Sequence, residues 1–264
     1  MKIGFIGCGN MASAMIGGII KKKIAGPEEI MASAKTVKTR QTAKEKFGIL
    51  VTGDNKEVAQ FADVLILAVK PFYYETVIEE IRDVVKDEAI IVSIAPGKKI
   101  SWIESLFNKK IKLIRTMPNT PALVGEGMSC ICGNDFVSEE DVELIQTIFN
   151  GFGKSEIVSE DLIDVVVGVS GSSPAYVFMF IEAMADAAVA DGMPRAQAYR
   201  FAAQAVLGSA KMVLETGKHP GELKDMVCSP KGTTIEAVRV LEAKGMRSAV
   251  IEAQKACVKK AQEV

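Results

Sequence analysis

An α/β doubly wound sheet followed by an all-helical unit is what the sequence predicts, on three observations. Short β-rich apolar runs alternate with amphipathic stretches from residue 1 to about 158, a glycine-rich turn follows the first run, and beyond Ser159 the strand signal stops. The expected domains are therefore 1–158 and 159–264, a division in keeping with the chain's length.

The strand candidates in order are "KIGFI", "EIMAS", "ILV", "DVLILAV", "AIIVSI", "IKLIRTM", "GMSCICG" and "SEIV". Continuous apolar runs such as "VLILAV" suit strands buried on both faces, and helices between them imply right-handed crossovers in a mainly parallel sheet. The second half, "DLIDVVVG", "PAYVFMFIEAMADAAVADG", "RAQAYRFAAQAVLGSAKMVLETG", "PGELKDMV" and "TTIEAVRVLEAKG", carries helical spacing broken by Gly and Pro. Within it, Ala175 to Ala190 has only Glu182 and Asp186 as charges. A helix apolar nearly all round must be covered on nearly all sides. Either a second subunit covers it or shorter helices of the same chain do.

The turn "GFIGCGNMASAM" places Gly7, Gly9 and Ala12 between the first strand and a helix, with Cys8, Asn10 and Met11 beside them. One glycine makes the tight turn, the next lets backbone approach a pyrophosphate, and the small third residue lets helix pack on strand. This predicts a dinucleotide site. At the tip of the second strand an NAD site would place an acid; "SAKTVKTR" instead has Ser33 and Lys35, with Lys38 and Arg40 beyond. Hydroxyl and cation suit a 2′-phosphate, so NADPH is the expected cofactor, with NADH second. Lys21 to Lys23 lie in the last turn of the first helix, where cations are favourable without any ligand.

Ligands bind outside the carboxyl ends of strands in open α/β sheets. There "ILAVKP" brings Ala68, Val69, Lys70 and Pro71, "SIAPG" brings Ala95 and Pro96, and "TMPNTPALVGEG" brings Asn119. Asn55 completes the expected cofactor contacts, while Pro118 and Pro121 read as rigid loop formers.

Composition narrows the partners. Apolar residues make up 48% and charged residues 25%, and 32 basic residues against 33 acidic leave a net charge of -1. No surplus of cations exists for a nucleic-acid backbone. The five cysteines show no repeating spacing and fit reduced thiols, no metal-ligand set stands out, and "MKIGFIG" enters a strand with no leader, so a cytoplasmic protein is expected. Val165 to Ile181 is uncharged but interrupted by Gly168, Ser170, Gly171, Ser172, Ser173 and Pro174, and is not read as membrane-spanning.

One stretch remains, "CSPKGTT". It has no acid and offers Ser229, Gly232, Thr233 and Thr234 at the mouth of the helix "TIEAVRVLE". Bare N–H groups and a helix dipole there favour an anion, although the stretch also serves as an ordinary helix start. The residues alone lead to an NADP-linked reductase of a small carboxylate.

Five segments in order, "GFIGCGNMASAM", "LAVKP", "MPNTPALVGEG", "SGSSPAYVFMFIEAMADAAV" and "CSPKGTTIEAVRVLE", span nearly the whole chain, which is thereby similar to the pyrroline-5-carboxylate reductase family. The resemblance implies a Rossmann-type NAD(P)H-binding domain and an all-α C-terminal dimerisation domain, assembled as a homodimer and often as rings of dimers. It implies reduction of 1-pyrroline-5-carboxylate to L-proline, the last step of proline synthesis. Thr234 resembles the residue that hydrogen-bonds the ring nitrogen, and Glu160 a substrate-contacting residue, though a helix N-terminal acid needs no such role. The departures are Lys231 in place of a small residue, Ser173 in place of glycine, and Met226 where some relatives have asparagine. His219, the only histidine, reads as part of a helix-to-helix turn. Two other functions fit the same plan. A β-hydroxyacid dehydrogenase would need a lysine base on the first long helix, and "SGSSPAYVFMFIEAM" has none; a non-catalytic NADP-binding sensor would have no reason to keep the hydroxyls of the second half.

Overall fold

The computed structural model describes residues 1–263. The chain divides into two compact units, Met1–Ser172 with Cys257–Val264 and Ser173–Ala256.

In the first unit eight strands form one sheet: β1 Ile3–Ile6, β2 Ile30–Ser33, β3 Leu50–Thr52, β4 Val64–Leu67, β5 Ile90–Ser93, β6 Lys112–Met117, β7 Gly127–Gly133 and β8 Gly153–Ile157. Every apolar run read as a strand is one. Their order is β3-β2-β1-β4-β5-β6-β7-β8, parallel from β3 to β6, with β7 antiparallel to β6 and parallel to β8. The winding reverses between β1 and β4, and such a switch point leaves a crevice at the carboxyl edge. Helices α1 Asn10–Lys21, α2 Val37–Phe47, α3 Asn55–Phe61, α4 Tyr74–Ile81, α5 Ile100–Phe107 and α6 Glu139–Phe149 connect the strands.

Local chemistry sets these helix ends. Thr36 caps α2 by accepting from the Thr39 N–H, and Asp54 caps α3 through Lys56; Ser138 and Asp141 form a reciprocal capping box on α6. Strands β1, β4 and β5 are buried at every residue, because apolar clusters cover both faces. Phe5, Met15, Phe149 and Phe152 anchor one cluster, and Tyr74, Ile81 and Phe107 the other.

After β8 a 3-10 turn Glu160–Leu162, the short α7 Ile163–Val166 and a π-helical turn Val167–Gly171 lead into α8 Ser173–Ala190. The Gly/Ser/Pro cluster read as an interruption is thus absorbed into helical backbone. The second unit continues with α9 Arg195–Thr216, α10 Pro220–Val227, α11 Thr233–Ala243 and α12 Met246–Gln262, the last returning the chain to the first unit. Helices α8 and α9 pack on each other, yet between Ser173 and Ala256 only Ala185, Ala198, Ala202 and Leu223 are buried. Phe178, Met179 and Phe201 are each more than 60% exposed. Within the second unit, the packing of α8 on α9 leaves large apolar side chains of α8 exposed, the kind of surface that marks an interaction site.

Candidate functional site

The glycine-rich turn fits a pyrophosphate on steric grounds. Gly7 has φ +97, and a Cβ there would lie 2.7 Å from the Ala68 carbonyl oxygen; its N–H donates to the Ser33 carbonyl at 3.1 Å. A Cβ on Gly9 would meet nothing within 4 Å, so the backbone faces open space. Gly9 is the N-cap of α1 and no side chain caps that end, leaving first-turn N–H groups for an anion. Gly9 and Asn10 are exposed, Met11 is half-buried and Cys8 is buried, with its thiol pKa pushed up by that burial. A cleft of about 580 Å³ runs from Cys8, Gly9 and Asn10 to Lys38 and Thr42 of α2.

At the β2 tip the predicted residues separate. Lys35 is exposed and Lys38 lines the cleft. Arg40 shapes the turn instead, donating to the Ala34 and Lys35 carbonyls at 2.6 and 3.3 Å. Ser33 is 1% exposed and its hydroxyl donates to Asn55 Oδ1 at 2.6 Å, while Asn55 Nδ2 donates to Glu80 Oε2 at 2.8 Å. The strand thus faces the Ser33 hydroxyl inward, where the half-buried Asn55 accepts from it. Glu80, a helix residue with no motif around it, carries no signal in the sequence.

The carboxyl-edge loops rest on a buried hydroxyl ladder, also invisible in the sequence. Tyr74 OH donates to the Leu67 carbonyl at 2.7 Å, Ser93 Oγ to Tyr74 OH at 3.1 Å, and Thr116 Oγ1 to the Ser93 carbonyl at 3.1 Å. It ties together the ends of β4, β5 and β6. Burial raises the Tyr74 pKa well above that of a free phenol, so its proton stays in the ladder. Ala68 is held by its N–H on the Ile6 carbonyl, Ala95 by its N–H on Ser93 Oγ, and Pro96 and Val69 are half-buried beside them. Lys70 is exposed just ahead of the 3-10 turn Pro71–Tyr73.

Asn119 and Glu160 are both engaged by protein partners. Asn119 is 7% exposed; its Oδ1 accepts from the Met128 N–H at 2.8 Å and its Nδ2 donates to the Ser170 carbonyl at 2.9 Å. Glu160 Oε1 accepts from the Ile100 N–H at 2.7 Å and from Arg115 Nη1 at 3.0 Å, and Asp164 adds a second carboxylate to that guanidinium at 3.4 Å. Arg115, 2% exposed, is the charge these acids neutralise, because a buried cation is tolerated only when paired. Glu160 is the first residue of the 3-10 turn Glu160–Leu162.

In the second unit the turn after α10 is shaped by two residues. Lys231 has φ +57, the left-handed region that penalises a Cβ. At Gly232 a Cβ would sit 2.3 Å from Ser229 Oγ and 3.1 Å from the Ser229 carbonyl oxygen, so a larger residue must push the serine hydroxyl aside, and the Gly232 N–H closes the turn on the Ser229 carbonyl at 3.0 Å. Gly232 is the N-cap of α11 and carries no side-chain cap. The first-turn N–H groups stand bare, with the hydroxyls of Ser229, Thr233 and Thr234 belonging to the same turn and no acid within it. His219 is structural, its Nδ1 accepting from the Gly221 N–H at 3.0 Å to cap α10.

Known proteins resemble the whole chain. A family described as NADP oxidoreductase, coenzyme F420-dependent, matches residues 2–97, and one described as pyrroline-5-carboxylate reductase dimerisation matches residues 160–264. The pyrroline-5-carboxylate reductase of Escherichia coli (strain K12) is 54% identical over 263 residues, covering 100% of this chain and 98% of the relative. The solved reductase of Coxiella burnetii superposes with TM-score 0.92 at 36% identity, covering 99% and 97% of the two chains. That of Plasmodium falciparum, with NADP bound, gives 0.89 at 31% identity, covering 100% and 97%. By length and composition Glu160–Ala190 is apolar enough to cross a bilayer. The dimerisation match over residues 160–264 supports self-association.

Proposed function

From the premise that this chain belongs to the pyrroline-5-carboxylate reductase family, and so reduces 1-pyrroline-5-carboxylate to L-proline with a reduced nicotinamide dinucleotide, we propose which of its residues do the work. The first unit holds the dinucleotide: the turn Gly7–Met11 takes the pyrophosphate, Asn55, Lys35 and Lys38 the adenosine end, and the backbone of Ala68–Pro71 and Ala95–Pro96 the nicotinamide end. Lys35 and Lys38, with no acid at the β2 tip, favour NADPH over NADH. The turn Ser229–Thr234 holds the substrate. The single observation that carries this is the uncapped start of α11 behind a glycine whose missing side chain leaves room for the Ser229 hydroxyl, an anion cradle in a turn that contains no acid.

Bound in the first unit, the dinucleotide supplies hydride. The chain's residues supply position and electrostatics. The Thr233 and Thr234 N–H groups and the α11 dipole hold the substrate carboxylate, with Ser229 Oγ as a further donor. Thr234 Oγ1 hydrogen-bonds the ring nitrogen and keeps the imine carbon at a fixed height above the cradle. A protonated imine is already electrophilic, so hydride transfer needs no strong protein acid, and the turn offers none. The α8 and α9 surfaces close against a second copy, giving a cytoplasmic homodimer able to build rings.

The test is NADPH absorbance decay with 1-pyrroline-5-carboxylate beside the Thr234→Ala variant. Loss of a positioned hydroxyl at the reacting nitrogen lowers kcat/KM by about 10- to 100-fold. Equal turnover by both proteins removes Thr234 from the reaction.

A further inference from the structure

Ser170 stands near the end of the π-helical turn, four positions ahead of Pro174. In a continuing α-helix its carbonyl would accept from the residue four positions on, but that residue is Pro174, which has no N–H. A buried carbonyl left without a partner is costly. Asn119 Nδ2, arriving from the loop after β6, donates to it at 2.9 Å. The same amide's Oδ1 takes the Met128 N–H at the start of β7. One side chain therefore locks three pieces of backbone: the carboxyl-edge loop, the first residues of β7, and the π-turn. Around it, Met117 packs against Gly171, and Arg115, two residues nearer the middle of β6, holds Glu160 and Asp164 at the other end of the same helical segment. π-Helical turns recur at functional sites.

We propose that Asn119 is a positioning residue for the reaction: it fixes the loop Met117–Gly125 and the π-turn against each other, and its loss slows hydride transfer without weakening dinucleotide binding. The inference rests on the activity and site proposed above. Its physical basis is that the loop leaves the carboxyl end of β6, which pairs with β5, the strand whose end at Ala95–Pro96 is proposed above to meet the nicotinamide; of the loop's residues Leu123 lines the cleft beside Gly9 and Asn10, whereas Asn119 itself does not. Displacement of a reacting group by about 1 Å costs on the order of 100-fold in rate.

The test is a double-mutant cycle of Asn119→Ala and Pro174→Ala, reading kcat, NADPH Kd by fluorescence and thermal midpoint. The expected result for Asn119→Ala is a kcat lowered about 10-fold or more with NADPH Kd within about twofold. In the Pro174→Ala background the restored N–H gives the Ser170 carbonyl a partner, and the loss shrinks to about threefold or less. Asn119→Asp, which keeps an acceptor for Met128 and replaces the donor by a carboxylate oxygen that repels the Ser170 carbonyl, gives at least the same kcat loss should the alanine variant not fold. A raised NADPH Kd overturns the proposal in favour of direct cofactor contact; a lowered thermal midpoint with unchanged kcat overturns it in favour of a purely structural lock. Turnover by the wild-type enzyme separates either failure from a failure of the proposed function itself.

Discussion

Replacing Lys231 by glycine relieves a backbone conformation that the wild-type residue adopts at a cost. At φ +57 an L-residue with a Cβ lies about 1–2 kcal/mol above the right-handed regions. Glycine escapes that term but widens the unfolded ensemble, which offsets about 0.4–1 kcal/mol. Lys231 is exposed, and among the described residues it has no ion pair or hydrogen bond that the change would remove. The difference is a net stabilisation of about 0.5–1 kcal/mol. At this chain length that raises the thermal midpoint by about 1–4 °C, measured at fixed protein concentration because association shifts it too. Lys231→Ala is the control: it removes the ammonium but keeps the Cβ, and is expected to gain nothing. Urea midpoints at unchanged m report the same ordering. A glycine variant no more stable than the alanine variant refutes the argument, and means that the turn does not hold position 231 left-handed in solution.

Gly7→Ala adds a Cβ 2.7 Å from the Ala68 carbonyl at φ +97, which costs about 1–3 kcal/mol; NADPH titration of the folded variant is expected to show affinity lowered about tenfold or more. Tyr74→Phe leaves the Leu67 carbonyl without its 2.7 Å donor, and a buried orphan acceptor costs about 1–3 kcal/mol, read as a lower urea midpoint. Asp63 has its carboxyl pKa lowered in the folded state, first by the Lys86 ammonium and then by the Lys2 N–H. A lowered folded value gives stability that is present above the unfolded pKa of about 3.9 and lost as pH falls through the folded one. Asp63→Asn therefore flattens the acid limb of the stability profile below about pH 4 and leaves its alkaline limb unchanged.

Where a residue's surroundings are local, the sequence is readable. The inner strands β1, β4 and β5 show because a sheet covered on both faces demands unbroken apolar runs, and the glycine turn shows because its reasons are steric and lie within a few residues. The polar interior is not legible. Ser33, Asn119 and Glu160 each bond a partner far along the chain, Asn55, Ser170 and Arg115, which no local pattern shows. The Tyr74, Ser93 and Thr116 ladder sits inside segments that read as apolar strand and helix, with nothing local to mark it. The Gly168 to Pro174 cluster looks like an interruption for the same reason: the amide that bonds the Ser170 carbonyl comes from the loop after β6. Lys231 stands out only against the family pattern, and its positive φ gives the physical reason for the small residue usual there.

The account's central claim is that the turn Ser229–Thr234 cradles the imine while the first unit holds the dinucleotide. Steady-state NADPH oxidation with varied 1-pyrroline-5-carboxylate, for wild type and Gly232→Ala, tests it most directly. The Cβ would collide with Ser229 Oγ and open the cradle, so the account predicts proline formation by the wild type and an imine KM raised about tenfold or more in the variant, with NADPH KM unchanged. An unchanged imine KM in a folded Gly232→Ala protein would contradict it.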